Sequence, residues 1–362
     1  MSQAVIEDLE EAFADTAPMW EELRGQRLFI VGGTGFFGCW FLESVAWANT
    51  RFGLDLRATV LSRNPDRFRQ NRPALASNPA FEFQQGDVRS FRFPPGQYSY
   101  IIHAGADTRA KPGDEAPFAT PASQNQACRG PRACWGPLEM LDTMVQGTRH
   151  CLEFALDCGA RKFLYLSAGA VYGLKTPQGV DESFGGGPDP LNPHAAYAEG
   201  KRVAELQCAL AAASGIEVKI ARCFTFLGPY MELNAHFAIG NFIRDQMKGG
   251  PIRVHGDGQA VRSYMYAGDL MVWLWTILLR GASGRAYNVG SEKAVTIGEV
   301  AQSVADALSP RVAVEIAGNP NRAGAAHCYV PSTARAKQEL GLRCRTGLRE
   351  AIQRTHAWFR HK

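Results

Sequence analysis

From residue 27 onward, short apolar runs alternate with longer amphipathic stretches. The runs RLFIV, ATVLSR, AFEFQQGDV, YSYIIHAGA, KFLYLSAG and EVKIARCF are rich in β-branched and aromatic residues and meet Gly, Asn or Asp at their ends. The stretches between them, CWFLESVAWANT, VQGTRHCLEFALDCG and YAEGKRVAELQCALAAAS, read as helices. Alternation of this kind predicts βαβ units and a parallel sheet. Right-handed crossovers then place the strand C-termini, and any ligand site, on one edge.

The predicted class is α/β: a Rossmann-type doubly wound parallel sheet with a smaller C-terminal substrate-binding subdomain. Residues 1–25 read as a helical extension, with Val5, Ile6, Leu9, Phe13 and Trp20 set among acids. Residues 26–228 form the expected dinucleotide-binding domain. Residues 229–362 form most of the smaller one, with 264–290 returning to the first. Two stretches break the rhythm. Residues 107–138 are rich in Pro, Ala and Gly without a period, which reads either as a lid over the site or as a mobile surface insert. Beyond residue 229 the strands and helices shorten.

Composition narrows the function classes. The chain has 362 residues, 46% hydrophobic and 20% charged, with a formal net charge of +4 and no Lys/Arg block. No nucleic-acid footprint is expected. The nine cysteines are odd in number, scattered and without a CxxC pair, so neither a disulfide framework nor a metal site is expected. The start, MSQAVIEDLEEAF, is acidic and unlike a secretory signal, and LMVWLWTILL is too short to span a bilayer. A cytoplasmic protein with no membrane partner is the expectation.

The chemistry starts at FIVGGTGFFG, where Gly32, Gly35 and Gly38 recur every third residue between a strand and a helix opened by Phe36 and Phe37. Glycines there let a pyrophosphate approach backbone amides at a helix N-terminus. The next strand ends in Ser62 and Arg63 instead of the acid that reads an NAD ribose. The pair would receive a 2′-phosphate, tilting the cofactor toward NADP over NAD; Arg63 stacked on adenine or facing solvent is the other reading. Asp87, with Val88, follows the third strand, where it would meet the adenine amino group. In YAEGK, Tyr197 and Lys201 lie four apart on one helix face. A free phenol titrates near ~10. A lysine cation one turn away favours the phenolate and also reaches a nicotinamide ribose, making Tyr197 a proton shuttle to a carbinol oxygen.

The motifs GGTGFFG, GDV, IIHAGA, VQGT, AVYG, YAEGK, ARCFTFLGP, GDGQAVRSYMYAGDL, YNVGS and STARAKQELGL occur in order over residues 26 to 350. Together they resemble the extended short-chain dehydrogenase/reductases of the NAD-dependent epimerase/dehydratase family, whose best-known members act on nucleotide-activated sugars. The resemblance implies that His103, Ala104 and Ala106 lie along the cofactor, and that Cys223 and Phe224 lie near the nicotinamide. It implies that Thr225 meets the substrate, and that Arg262 and Arg322 grip its diphosphate with guanidinium forks. A homodimer through a four-helix interface is usual in the family.

Three departures matter. The catalytic hydroxyl three residues before Val171 is missing, because Ala168 stands there. Ser167, one residue early, is the remaining hydroxyl, either catalytic or bonded to cofactor or a neighbouring strand. Met144 and Thr225 stand where relatives carry Asn, and Gly169 and Ala170 replace the acid/base pair of 4,6-dehydratases. Losing one oxyanion donor costs about 10²-fold or more in rate; Thr225, His194 or the 107–138 loop are candidate substitutes. The expected activity is an NAD(P)-dependent nucleotide-sugar epimerase or 4-keto reductase. A dehydratase-like protein, or a cofactor-binding protein with vestigial catalysis, is the alternative.

Overall fold

The computed structural model describes residues 3–14, 16–105, 135–173, 176–234, 237–318 and 327–360. In chain order the elements are α1 (Gln3–Ala12), α2 (Ala17–Trp20), β1 (Arg27–Val31), α3 (Phe36–Phe52), β2 (Arg57–Ser62), α4 (Pro65–Asn71), α5 (Pro73–Ala76), β3 (Phe81–Gln85), β4 (Tyr100–His103), α6 (Trp135–Asp157) and β5 (Lys162–Ala168). A 3-10 turn over Gly169–Tyr172 follows, then α7 (Ala196–Ala212), β6 (Glu217–Cys223), β7 (Phe226–Leu227), α8 (Ala238–Met247), β8 (Ile252–Val254), β9 (Val261–Arg262), β10 (Met265–Tyr266) and α9 (Ala267–Arg280). The chain finishes with β11 (Arg285–Val289), β12 (Val295–Thr296), α10 (Ile297–Ala307), β13 (Val314–Ile316), β14 (Cys328–Tyr329), α11 (Ala334–Leu340) and α12 (Leu348–Arg360).

A seven-stranded sheet runs in the order β11-β6-β5-β4-β1-β2-β3. The pairs β2–β3, β1–β2, β1–β4 and β4–β5 are parallel, with Val31 opposite His103 and His103 opposite Tyr165. The order reverses between β1 and β4, and such a switch point opens a crevice at the strand C-termini. The expected doubly wound sheet is therefore present. Helix α6 begins inside the stretch read from the sequence as an unbroken 107–138 loop; residues 107–134 of that loop lie outside the described residues.

The chain divides into two compact units. The first comprises residues 1–173, 187–222 and 274–286, and the second residues 174–186, 223–273 and 287–362. The second holds the small pairings β10–β7, β12–β9–β14 and β13–β8. There Asn288 ties segments together, its amide donating to the carbonyls of Val180 and Ser332 at 2.9 and 3.0 Å.

Within the first unit, α1 and α2 are built into the core. Trp20 is fully buried; its ring lies 5.0 Å from Phe13, 5.8 Å from Trp47 and 5.1 Å from Trp275. Two residues on, the Glu22 carboxylate accepts from Lys162 Nζ at 2.5 Å, from the Tyr100 hydroxyl at 3.1 Å and from Arg280. Burial pushes that carboxyl up, but Lys162 and Arg280 outweigh it and hold its pKa below the ordinary value. Truncating the aromatic anchor leaves a cavity among rings that cannot collapse into it. Trp20→Ala is expected to cost about 3–5 kcal/mol of stability, read as a lowered urea midpoint with unchanged m; a change within 1 kcal/mol would show the N-terminal segment to be peripheral.

Candidate functional site

The glycine cradle sits where β1 and β4 end side by side. Gly32 has φ +78°, and a Cβ there would lie 2.6 Å from the Ala104 carbonyl oxygen. A Cβ on Gly38 would fall 2.2 Å from the backbone of Gly33, so α3 packs on the turn only because residue 38 has no side chain. Gly35 is the N-cap of α3 and brings no side-chain acceptor for the first-turn amides of Phe36, Phe37 and Gly38. A bare helix N-terminus over a bare turn fits a pyrophosphate, and the residues present fit a dinucleotide.

At the adenosine end, Ser62 is buried, and its hydroxyl accepts from the Asn64 amide at 3.3 Å. Asp87 is held by Arg89, whose Nε and Nη2 donate at 2.9 and 2.8 Å. That fork, with Arg63 as a weaker contributor, keeps the Asp87 pKa below its ordinary value despite partial burial. Arg89 was not among the expected residues, although it follows GDV directly.

His103 is fully buried. Its Nδ1 accepts from the Gly105 amide at 3.3 Å, which leaves the hydrogen on Nε2 to donate to Thr148 at 3.1 Å. Burial, reinforced by the Lys201 cation, pushes its pKa down to about 3. Ala104, half-buried, remains at the strand edge. Ala106 and Arg322 lie outside the described residues.

Helix α7 carries the acid/base candidates. Lys201 is buried; its Nζ donates to the Leu166 carbonyl at 2.7 Å, lies 4.8 Å from the Tyr165 ring centroid and 6.0 Å from that of Tyr197. Tyr197 packs with Ala168, Ala170 and Met144, and with half-buried Met140. The bare shelf thus faces the phenol, and each of the three departures from the family pattern places a residue against it, Ala168, Met144 and Ala170. Helix α6 comes close enough to α7 that a Cβ on Gly200 would sit 2.7 Å from Met144 Cε.

Ser167, expected among the catalytic residues, is placed elsewhere. It continues the Phe163–Tyr165 face of β5, which packs with Ala204 and Cys208 of α7. On that face its hydroxyl lies beneath the helix and donates to Glu205 at 2.5 Å. Sequence reasoning missed Glu205, although it follows Lys201 by the same four-residue step that links Lys201 to Tyr197.

In the second unit, Phe224 and Arg262 both meet Tyr329: the Phe224 ring at 4.7 Å, the guanidinium at 5.9 Å. Arg262 Nη1 donates to the Val261 and His327 carbonyls at 2.8 and 3.0 Å. The Thr225 carbonyl accepts from the Met265 amide at 3.0 Å. Among the described residues no group of three or more His, Cys, Asp or Glu is placed to hold a metal, and no helix is long and apolar enough to cross a membrane.

The profile of the NAD dependent epimerase/dehydratase family matches residues 128–290. UDP-glucuronic acid decarboxylase 1 of Arabidopsis thaliana is 30% identical over 339 residues, covering 93% of this chain and 70% of its own. The chain belongs to the NAD-dependent epimerase/dehydratase family. Among solved members of this extended short-chain dehydrogenase/reductase group, an epimerase from Methanothermobacter thermautotrophicus superposes with a TM-score of 0.76 at 22% identity, covering 96% of each chain. The dTDP-glucose 4,6-dehydratase of Streptomyces venezuelae, solved with NAD bound, gives 0.72 at 25% identity, covering 93% of this chain and 97% of its own.

The His103 environment has a measurable signature. Its folded pKa lies below the unfolded value of about 6.5, so the unfolded chain binds the extra proton, and stability is full above that pH and falls below it. Between pH 6 and 4, wild type is expected to lose about 1.4 kcal/mol per unit more than His103→Gln, measured by urea unfolding; parallel curves would show that His103 does not stay neutral.

Proposed function

We propose that this protein is an NAD(P)-dependent enzyme that oxidises or reduces a carbinol of a nucleotide-activated sugar, acting at C4 as an epimerase or 4-keto reductase. The observation that carries the reading is the α7 face that sets the Tyr197 phenol against the Ala168–Ala170 shelf with the Lys201 ammonium beside its ring. Tyr197 takes the proton from the sugar hydroxyl or returns it to the carbonyl oxygen; Lys201 orients the ribose and favours the phenolate. Nicotinamide, when bound, supplies the hydride acceptor. The amides after Gly32, Gly35 and Gly38 would hold the pyrophosphate, and Ser62, Arg63, Asp87 and Val88 the adenosine end. With Ser62 and Arg63 standing where an acid would read an NAD ribose, this end tilts toward NADP over NAD. Arg262 and Arg322 would grip the substrate diphosphate.

Gly169 and Ala170 supply no carboxylates to remove a C5 proton and expel water, so elimination ranks last. The decarboxylase relatives favour a second reading. A uronic acid oxidised at C4 loses its C6 carboxylate as carbon dioxide, with the bonding pair passing toward the new carbonyl. That step asks for no carboxylate at 169 or 170.

The test is a panel of nucleotide sugars, UDP-glucuronic acid included, with NAD⁺, NADP⁺ and their reduced forms, followed by nicotinamide absorbance and product NMR. Turnover is expected in wild type and a loss of about 10²–10⁴-fold in Tyr197→Phe, with cofactor Kd little changed. Tight cofactor binding without turnover of any sugar would point instead to a binding protein with vestigial catalysis.

The partner in this reading is a second copy of the chain. Leu206 and Leu210 of α7 are 60% and 65% exposed, and Leu138 and Leu156 of α6 are exposed with them, an apolar face suited to a four-helix interface. The double variant Leu206→Glu/Leu210→Glu is expected to elute at half the wild-type mass in light-scattering chromatography; equal masses would remove the dimer from the proposal.

A further inference from the structure

We infer that Glu205 is a positioning residue for the Tyr197–Lys201 pair, acting through a buried network that fastens α7 to the sheet. The inference rests on the reading that Lys201 serves a bound cofactor. Three consecutive residues at the end of β5 each receive one residue of α7. The Leu166 carbonyl takes Lys201, the Ser167 hydroxyl donates to Glu205, and Ala168 packs on Tyr197. Residues 197, 201 and 205 recur at four-residue steps and so share one helix face.

Glu205 then reaches a third element. Arg222 of β6 donates to its carboxylate from Nε at 3.0 and 3.2 Å and from Nη2 at 2.7 Å. Arg222 Nη1 also donates to the Tyr172 hydroxyl at 2.9 Å, and the guanidinium lies 4.9 Å from that ring. Tyr172 ends the 3-10 turn that carries the shelf. One carboxylate thus fixes the helix that bears the acid/base pair and, through Arg222, the turn that faces it.

The Glu205 and Arg222 side chains are only 11% and 16% exposed. A buried, fully hydrogen-bonded ion pair contributes little net stability but penalises every other arrangement, because a shift leaves a charge stranded. This protein has special need of it. The strand position that would tie Tyr197 by a hydroxyl is Ala168, so the seating of α7 depends on the bonds made one and two residues earlier.

The experiment is a double-mutant cycle on the full chain, with NAD⁺ and NADP⁺ as probes and Kd read by titration calorimetry. Glu205→Gln keeps shape and an acceptor for Ser167 while removing the charge that Arg222 pairs with. Ser167→Ala is a second, milder variant that removes one tie and no charge. Each is compared with Lys201 intact and in Lys201→Met. Glu205→Gln is expected to weaken cofactor binding about 5-fold or more with Lys201 present and less than about 2-fold without it, Ser167→Ala following the same pattern more weakly. A merely structural role would not depend on Lys201, so equal losses in both backgrounds, or an unchanged Kd in a folded variant, would overturn the inference. Wild type that binds cofactor but turns over no nucleotide sugar defeats only the functional reading, and the coupling measured between Glu205 and Lys201 still decides the inference. Wild type that binds neither cofactor overturns both.

Discussion

The 2.7 Å hydrogen bond from the Lys201 ammonium to the Leu166 carbonyl is the contact around which the acid/base candidates are arranged. A lysine head group brought out of water needs strong partners. Here a main-chain carbonyl at the end of β5 and the face of Tyr165 supply them. Because the carbonyl belongs to the strand, the helix cannot slide without breaking the bond. Tyr197, one turn earlier, inherits that alignment, and so does Glu205, one turn later.

The surroundings of the phenol follow from the same seating. Met144 comes from α6 and Ala168 and Ala170 from the end of β5 and the turn after it, yet all pack on Tyr197. A site stripped of hydroxyl and amide groups is a poorer hydrogen-bonding environment. It is also one in which a neighbouring charge is felt more strongly, since little polar matter screens it. In the proposed reading, the loss of one kind of assistance therefore strengthens dependence on the other, the lysine.

How much was legible in the sequence varies with the range of the interaction that decides each feature. The cradle was readable because Gly32 and Gly38 answer to local geometry, a left-handed turn and a helix laid on it. The parallel sheet followed from the alternation of runs such as KFLYLS and YAEGKRVAE. Ser167 was ambiguous because a strand's last residue faces either the open edge or the covering helix, and only the position of α7 decides. The partner of His103 was hidden for a like reason: Thr148 is 45 residues away, and no local pattern announces that bond. Glu205 was within reach, being the next step of a spacing already noticed. Its partner Arg222 was not, because that pairing depends on β6 lying beside β5.

The N-terminal segment has a consequence for biosynthesis. Glu22 pairs with Arg280, 258 residues further along, and Trp20 packs at a tilt against Trp275. Helices α1 and α2 and the turn after them must therefore wait for α9 before their aromatic rings and carboxylate are satisfied. Contacts of such long sequence separation slow folding and leave sticky surface uncovered in the meantime. A nascent chain stalled before α9 would present Phe13, Trp20 and Trp47 as a ready ligand for chaperones, so this domain is closed only once α9 has been made.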